Sequence, residues 1–288
     1  MTMKIYYSPT CLSYQYPGHP ESPQRIQATH QYLEERGYDF TEPHPCSDED
    51  VLRVHSEELL TSIKTETFFD GDTPALPGII DYALLSAGSA ILASHSALKG
   101  DAAFSLMRPP GHHATRNRVM GFCYINNIAI AVAKIMADKP GLTAAILDID
   151  CHHGNGTEDI FMGNPSVLYV SLHQSPLYPG TGLQSRENAV NFPLPPYTPE
   201  DKYLSVLDEA CGHIADFNAD LLGISAGFDT FKEDPLTQLN LDVVTYGKIG
   251  KRIADLNKPT FVVMEGGYSA RLPECVHAFI QGLEPARA

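Results

Sequence analysis

Apolar positions along the chain follow two alternating patterns. Short apolar runs bounded by Gly, Pro or polar clusters read as strands at Met3–Tyr7, Ala102–Met107, Ala144–Leu147, Val167–Leu172, Asp220–Ser225 and Thr260–Met264. Between them lie longer segments with helical spacing. One starts at a Ser22 cap with Pro23 in its first turn and stops at Gly37; Ser47–Val54 and Ser56–Thr67 each open on a serine cap followed by acids. Ile79–Ala97, rich in small and aliphatic residues, closes at Gly100, and further helices are predicted from Asn127 to about Met136, over Thr157–Phe161, Pro199–Phe217 and Leu241–Leu256, and at the chain end. Strands alternating with helices predict an α/β fold: a mainly parallel central sheet covered by helices on both faces. Ligands bind such sheets beyond the carboxyl ends of the strands.

With 288 residues, 43% of them hydrophobic, the chain can bury a large core, and one domain spanning 1–288 is expected. There is no apolar run of membrane-spanning length and no signal-peptide pattern at the N-terminus, and the six cysteines are scattered without a CxxC pair. A cytoplasmic protein without a membrane partner is expected. The net charge of −15 argues against nucleic acid and suits a cationic ligand, although it fits plain solubility equally well.

The polar residues change the picture most at the strand exits. The run Leu147-Asp148-Ile149-Asp150-Cys151-His152-His153-Gly154 leaves an apolar strand with two carboxylates and two imidazoles. Asp150 and His152, two apart, point to one side of extended backbone. Alone they also fit a buried hydrogen-bonded pair. Asp229 ends another strand in Ala226-Gly227-Phe228-Asp229; alone it fits a capped turn. Together the three make a zinc site of two carboxylates and one imidazole with positions left for water and substrate. His112 and His113, held between prolines and a glycine past a third strand, suit proton transfer, each with a carboxylate to hold it; Asp148 is one natural partner. Tyr268, on Glu265-Gly266-Gly267-Tyr268, offers a phenol to a developing oxyanion. Gly121, Phe122 and Tyr178 suit the walls of a narrow channel for an alkyl chain. Glu21 and Asp72 lie in Pro/Gly-rich loops, where they read as rim acids for a small polycation.

These stretches, with Gly121-Phe122-Cys123-Tyr124, Ser171-Leu172-His173 and Pro179-Gly180-Thr181-Gly182, resemble the zinc-dependent histone deacetylase and acetylpolyamine amidohydrolase family, in the family's order over about residues 4–283. Asn155 and Glu265 resemble its class II branch. The resemblance implies an arginase-deacetylase fold, one catalytic Zn2+ on Asp150, His152 and Asp229, His112 and His113 as the base and acid pair, and Tyr268 polarising the acetyl carbonyl. It also implies a structural K+ near Asp148, Asp150, His152, Ser171 and Leu172, and substrate contacts from Asp72, Leu236 and the Gly267 segment. Leu183–Asn191 departs from the family's glycine-rich loop, and Asn164 and Asn188 fall where some members line a second potassium site. No extension beyond the catalytic core is expected.

The expected reaction is removal of acetyl groups from N-acetylated alkylamines. A small cationic acetylpolyamine is the favoured substrate, and protein acetyl-lysine is the alternative, supported by the lysine-deacetylase-like leucine at 236. An arginase-type ureohydrolase would need carboxylates at Gly154 and Phe231 for a second metal. A non-catalytic binder of acetylated amines would lose a ligand or Tyr268, and neither is lost.

Overall fold

The structure, a computed structural model, describes residues 3–284. Residues 1–2 and 285–288 of the expected 1–288 domain lie outside the described residues. Eight strands form one parallel sheet: β1 (Lys4–Tyr6), β2 (Phe40–Thr41), β3 (Ala103–Ser105), β4 (Ala144–Asp148), β5 (Val167–Gln174), β6 (Ala189–Leu194), β7 (Leu221–Ala226) and β8 (Thr260–Met264). Their order is β2-β1-β3-β8-β7-β4-β5-β6. The helices are α1 (Pro23–Glu34), α2 (Asp48–Leu52), α3 (Glu57–Lys64), α4 (Ile79–Ala97), α5 (Asn127–Asp138), α6 (Asn155–Phe161), α7 (Glu200–Phe217), α8 (Val243–Ala254) and α9 (Leu272–Leu283). None among the described residues is long and apolar enough to cross a membrane.

Central strands are buried on both faces, which is why they read as continuous apolar runs. Along β4, Ala145 and Leu147 enter one core with α1, α7, α8 and α9, while Ala144 and Ile146 enter the other with α3, α4 and α5. Two caps form as their sequences imply: Ser47 makes a capping box with Asp50, and Ser56 accepts from the Leu59 amide. Ser22 makes no side-chain cap; α1 starts instead on Pro23, with the Arg25 amide donating to the Ser22 carbonyl.

Two strands escaped the sequence pattern. β2 has only two residues, and β6 carries Pro193. Both are edge strands, and an edge tolerates a proline that a central strand would not.

The topology locates the site. The chain leaving β4 moves to β5 on one side, whereas the chain leaving β7 moves to β8 on the other. β4 and β7 are neighbours, so the crevice of this sheet opens between their carboxyl ends. Asp148, the last residue of β4, pairs in register with Ser225 of β7 and Ser171 of β5.

Candidate active site

Asp150, His152 and Asp229 converge at this crevice. Their donor atoms all lie within 4.8 Å of one another. His152 Nδ1 is 3.1 Å from Asp150 Oδ1 and 2.8 Å from Asp229 Oδ2. Backbone amides fix both carboxylates: Gly266 donates to Asp150 Oδ2 at 2.8 Å, His152 to Asp150 Oδ1 at 2.9 Å, and Cys151 to Asp229 Oδ1 at 2.8 Å. Asp229 Oδ2 is buried and accepts no hydrogen bond. A Cβ at Gly266 would sit 2.5 Å from Asp150 Oδ2 and 2.7 Å from Asp229 Oδ2, so this position must be glycine for the carboxylates to stay together.

Two buried carboxylates facing one imidazole nitrogen are poorly served by a single proton. Burial opposes charge on His152, but the adjacent Asp150 and Asp229 carboxylates prevail and push it up to about 10. Asp229 is pushed up by burial and by the Asp150 charge. A divalent cation relieves both conflicts, and two carboxylates with one imidazole are a suitable donor set for zinc. The residues present therefore fit a metal.

The two adjacent histidines are held differently. His112 Nδ1 lies 3.0 Å from Asp148 Oδ2, which also accepts from the Tyr169 hydroxyl at 3.1 Å. His113 Nδ1 lies 2.9 Å from Asn155 Oδ1. The expectation that a carboxylate holds each imidazole is thus corrected for His113, whose partner is a neutral carboxamide. Burial disfavours the His112 charge, but Asp148 and then Asp150 raise it to about 10. His113 is driven well down, by burial first and then by the charges of His112 and His152. The two imidazoles are thus pushed in opposite directions, with ring centroids 4.1 Å apart. Gly121, in the left-handed region at φ +57°, passes against the His113 ring, where a Cβ would overlap it.

A cavity of about 240 Å³ leads to these groups. Its walls include Asp72, Phe122, Tyr178, Leu236 and Tyr268. Tyr178 stands edge-on to His113 at 5.2 Å and is 37% exposed, while Leu236 is 38% exposed. Phe122 takes a left-handed conformation at φ 70°, its amide donating to Thr73 Oγ1 at 3.0 Å, and its ring stands edge-on to Tyr268 at 5.9 Å. Asp72 is exposed at the mouth. The Tyr268 phenol is pushed well up, chiefly by burial, and keeps its proton. Its amide donates to Asp234 Oδ2 at 2.7 Å.

Glu21 and Gly267 require correction. Glu21 is only 5% exposed and does not line the cavity. Arg108 grips it twice, Nε to Oε1 and Nη2 to Oε2, both at 2.7 Å; Arg25 Nη1 donates at 3.2 Å and the Tyr14 hydroxyl at 3.0 Å. Its acceptors are used, so it has no charge to offer a substrate. Gly267 lies behind the wall at φ 122°, its carbonyl accepting from Arg25 Nε at 2.7 Å, and the neighbouring Gly266 lines the cavity instead. Where some family members line a second potassium site, Asn188 Nδ2 donates to the carbonyls of Phe161 and Val167, both at 2.8 Å, so an amide nitrogen already serves these acceptors.

Sequence reading missed Arg25, Asp234 and Leu177, the last of which lines the cavity, and gave Asn155 no role. Arg25 sits on a helix face with no local signal, and Asp234 acts through its backbone partners. Asn155 alone was visible, directly after the Asp150-Cys151-His152-His153-Gly154 run.

A model of the histone deacetylase domain matches residues 19–283, so the chain belongs to the histone deacetylase family. It is 39% identical to a probable deacetylase of Archaeoglobus fulgidus, covering 88% of this chain and 78% of that protein. It is 42% identical to acetylpolyamine amidohydrolase 1 of Pseudomonas aeruginosa over 70% of this chain and 61% of that protein. Among solved structures, the acetylpolyamine aminohydrolase of Burkholderia pseudomallei superposes with a TM-score of 0.87 at 28% identity, covering 98% of each chain. The HDA15 HD domain superposes with a TM-score of 0.88 at 29% identity, covering 97% of this chain and 88% of that one. The arginase-deacetylase fold expected from the motifs is the observed one.

Proposed function

We propose that the protein is a zinc-dependent amidohydrolase that removes the acetyl group from N-acetylated alkylamines, with acetylpolyamine as the favoured substrate. The observation that carries this reading is the convergence of Asp150, His152 and Asp229, the first two of them lining a cavity whose walls also hold His112, His113 and Tyr268. Asp150, His152 and Asp229 would hold the zinc ion, which when bound supplies Lewis acidity to the acetyl carbonyl and to water.

The chain's own groups supply the rest. The Asn155 carboxamide oxygen selects the His113 tautomer with the proton on Nδ1, leaving the Nε2 lone pair free to take a proton from water. That proton then goes to the leaving amine, so His113 acts as base and afterwards as acid. His112, cationic through Asp148, lowers the basicity of its neighbour and adds positive charge where the oxyanion forms. The Tyr268 phenol donates to the carbonyl oxygen as charge develops there. Phe122 and Tyr178 flank the alkyl chain and exclude water. Asp148, Ser171 and Leu172 would hold a structural potassium ion beneath the site.

Asp72, exposed at the mouth, and the net charge of −15 favour a substrate with a distal ammonium group. The relatives named acetylpolyamine amidohydrolases support the same class. Leu236 on the wall favours the second reading, a protein acetyl-lysine substrate. The test compares kcat/KM for acetylspermidine, acetylputrescine and an acetyl-lysine peptide. Higher values for the acetylpolyamines are expected; preferred turnover of the peptide would overturn the polyamine assignment.

A further inference from the structure

Glu265 is a fully buried carboxylate at the end of β8 that the mechanism above leaves unused. Its Oε2 accepts from two consecutive amides of another loop, Gly111 at 2.7 Å and His112 at 3.2 Å, and its Oε1 accepts from Ser225 Oγ at 3.1 Å. The Gly111–His112 amides belong to the loop that carries both catalytic imidazoles. Three residues beyond Glu265, on the same segment, is Tyr268. We infer that Glu265 is a positioning residue: its carboxylate ties the histidine loop to the tyrosine loop and so sets the His113 imidazole and the Tyr268 phenol against one shared carbonyl.

Several features distinguish this tie from ordinary core packing. The histidine loop carries Pro109, Pro110 and Gly111, and it lies outside the named strands and helices. Without the carboxylate, two buried amides would lack an acceptor, and such amides are seldom left unpaired. On the other side the tyrosine segment is fixed at every residue. Arg25 donates to the carbonyls of Glu265 at 2.6 Å and Gly267 at 2.7 Å, the Gly266 amide donates to Asp150, and the Tyr268 amide donates to Asp234. The segment is thus a rigid support, and Glu265 transmits its position to the histidines. Gly111 also lets the histidine loop lie against the Ile125–Asn127 backbone, since a Cβ there would be 2.4 Å from the Asn127 nitrogen and 2.9 Å from the Ile125 carbonyl oxygen. A reaction in which acid–base and oxyanion-stabilising groups act on the same atoms is sensitive to such spacing: a displacement of about 1 Å costs on the order of 100-fold in rate.

The inference rests on the deacetylase reading, so its test carries an arm that does not need turnover. Glu265→Ala removes the acceptor. Glu265→Gln keeps it, because the amide oxygen can take both backbone donors while its nitrogen donates to Ser225 Oγ. In zinc-loaded protein, Glu265→Ala is expected to lower kcat about 10- to 100-fold with KM within about threefold of the parent, and Glu265→Gln to restore kcat to within about fivefold. Hydrogen exchange provides the second arm: the Gly111 and His112 amides are expected to exchange faster in the alanine variant and at parental rates in the glutamine variant. Parental kcat in Glu265→Ala, no rescue by glutamine, or faster exchange spread evenly over the whole sheet would overturn the inference. If the parent itself released no acetate, the deacetylase reading would fail, while the exchange arm would still decide whether the tie exists.

Discussion

Asn155 Oδ1 faces His113 Nδ1 at 2.9 Å, a neutral acceptor where His112 has the Asp148 carboxylate. Asp148 pushes the His112 pKa up while His113 has no such charge beside it, and exchanging the acceptor should alter the pH dependence. Asn155→Asp places a negative charge beside His113 and raises its pKa. Because the base must be neutral to act, the acidic limb of the kcat/KM profile is expected to move to higher pH by about one unit or more. An unmoved limb would mean that His113 is not the titrating base.

Tyr268→Phe removes the phenol donor and little else. A fall in kcat of about 100-fold is expected with KM nearly unchanged, since the bond strengthens only as the oxyanion forms. Steady-state kinetics with an acetylated amine give the answer, and a loss confined to KM would assign Tyr268 to binding instead.

Glu21 and Asp72 should now behave as opposites. Glu21→Ala leaves Arg108, itself fully buried, without its bidentate partner, and about 3–5 kcal/mol of stability should be lost in urea unfolding. Asp72→Asn should leave stability unchanged and raise KM for an acetylpolyamine. A stable Glu21→Ala protein with raised KM would restore the rim role that the loop sequence suggested.

Acid should weaken the fold through His55. Its Nε2 accepts from the Asn126 amide at 2.8 Å and its Nδ1 lies 2.9 Å from the Thr115 carbonyl, so the neutral ring is the one that fits. Burial pushes its pKa down to about 4. The unfolded chain takes up this proton near pH 6.5, so the stability contribution is complete above pH 6.5 and is lost as pH falls towards 4. At pH 5 the loss is about 2 kcal/mol. Unfolding free energies at pH 7 and pH 5 check this, and His55→Gln should flatten the slope between them.

The proposed catalytic groups were legible in the sequence because they sit on strand exits, where a buried apolar run gives way to residues too polar to pack. Asp150, His152, Asp229, His112, His113 and Tyr268 all have that local signature. The long central strands and α4 were legible for a related reason: burial on two faces leaves continuous apolar runs. Glu21 was misread because its loop of prolines and glycines resembles a surface connector, and nothing local shows that Arg108, distant in sequence, neutralises it. β6 was lost to its proline, which only its edge position permits. Asn155 and Asp234 act by orienting a ring and a backbone amide, and their meaning emerges only when separate loops meet.

The central claim is metal-dependent hydrolysis at the Asp150–His152–Asp229 cluster. It is tested most directly by titrating zinc into chelator-stripped protein while measuring acetate released from acetylspermidine. The expected result is no release from stripped protein and a rise that ends at one zinc per chain. Release without metal, or a requirement for two ions per chain, would contradict it.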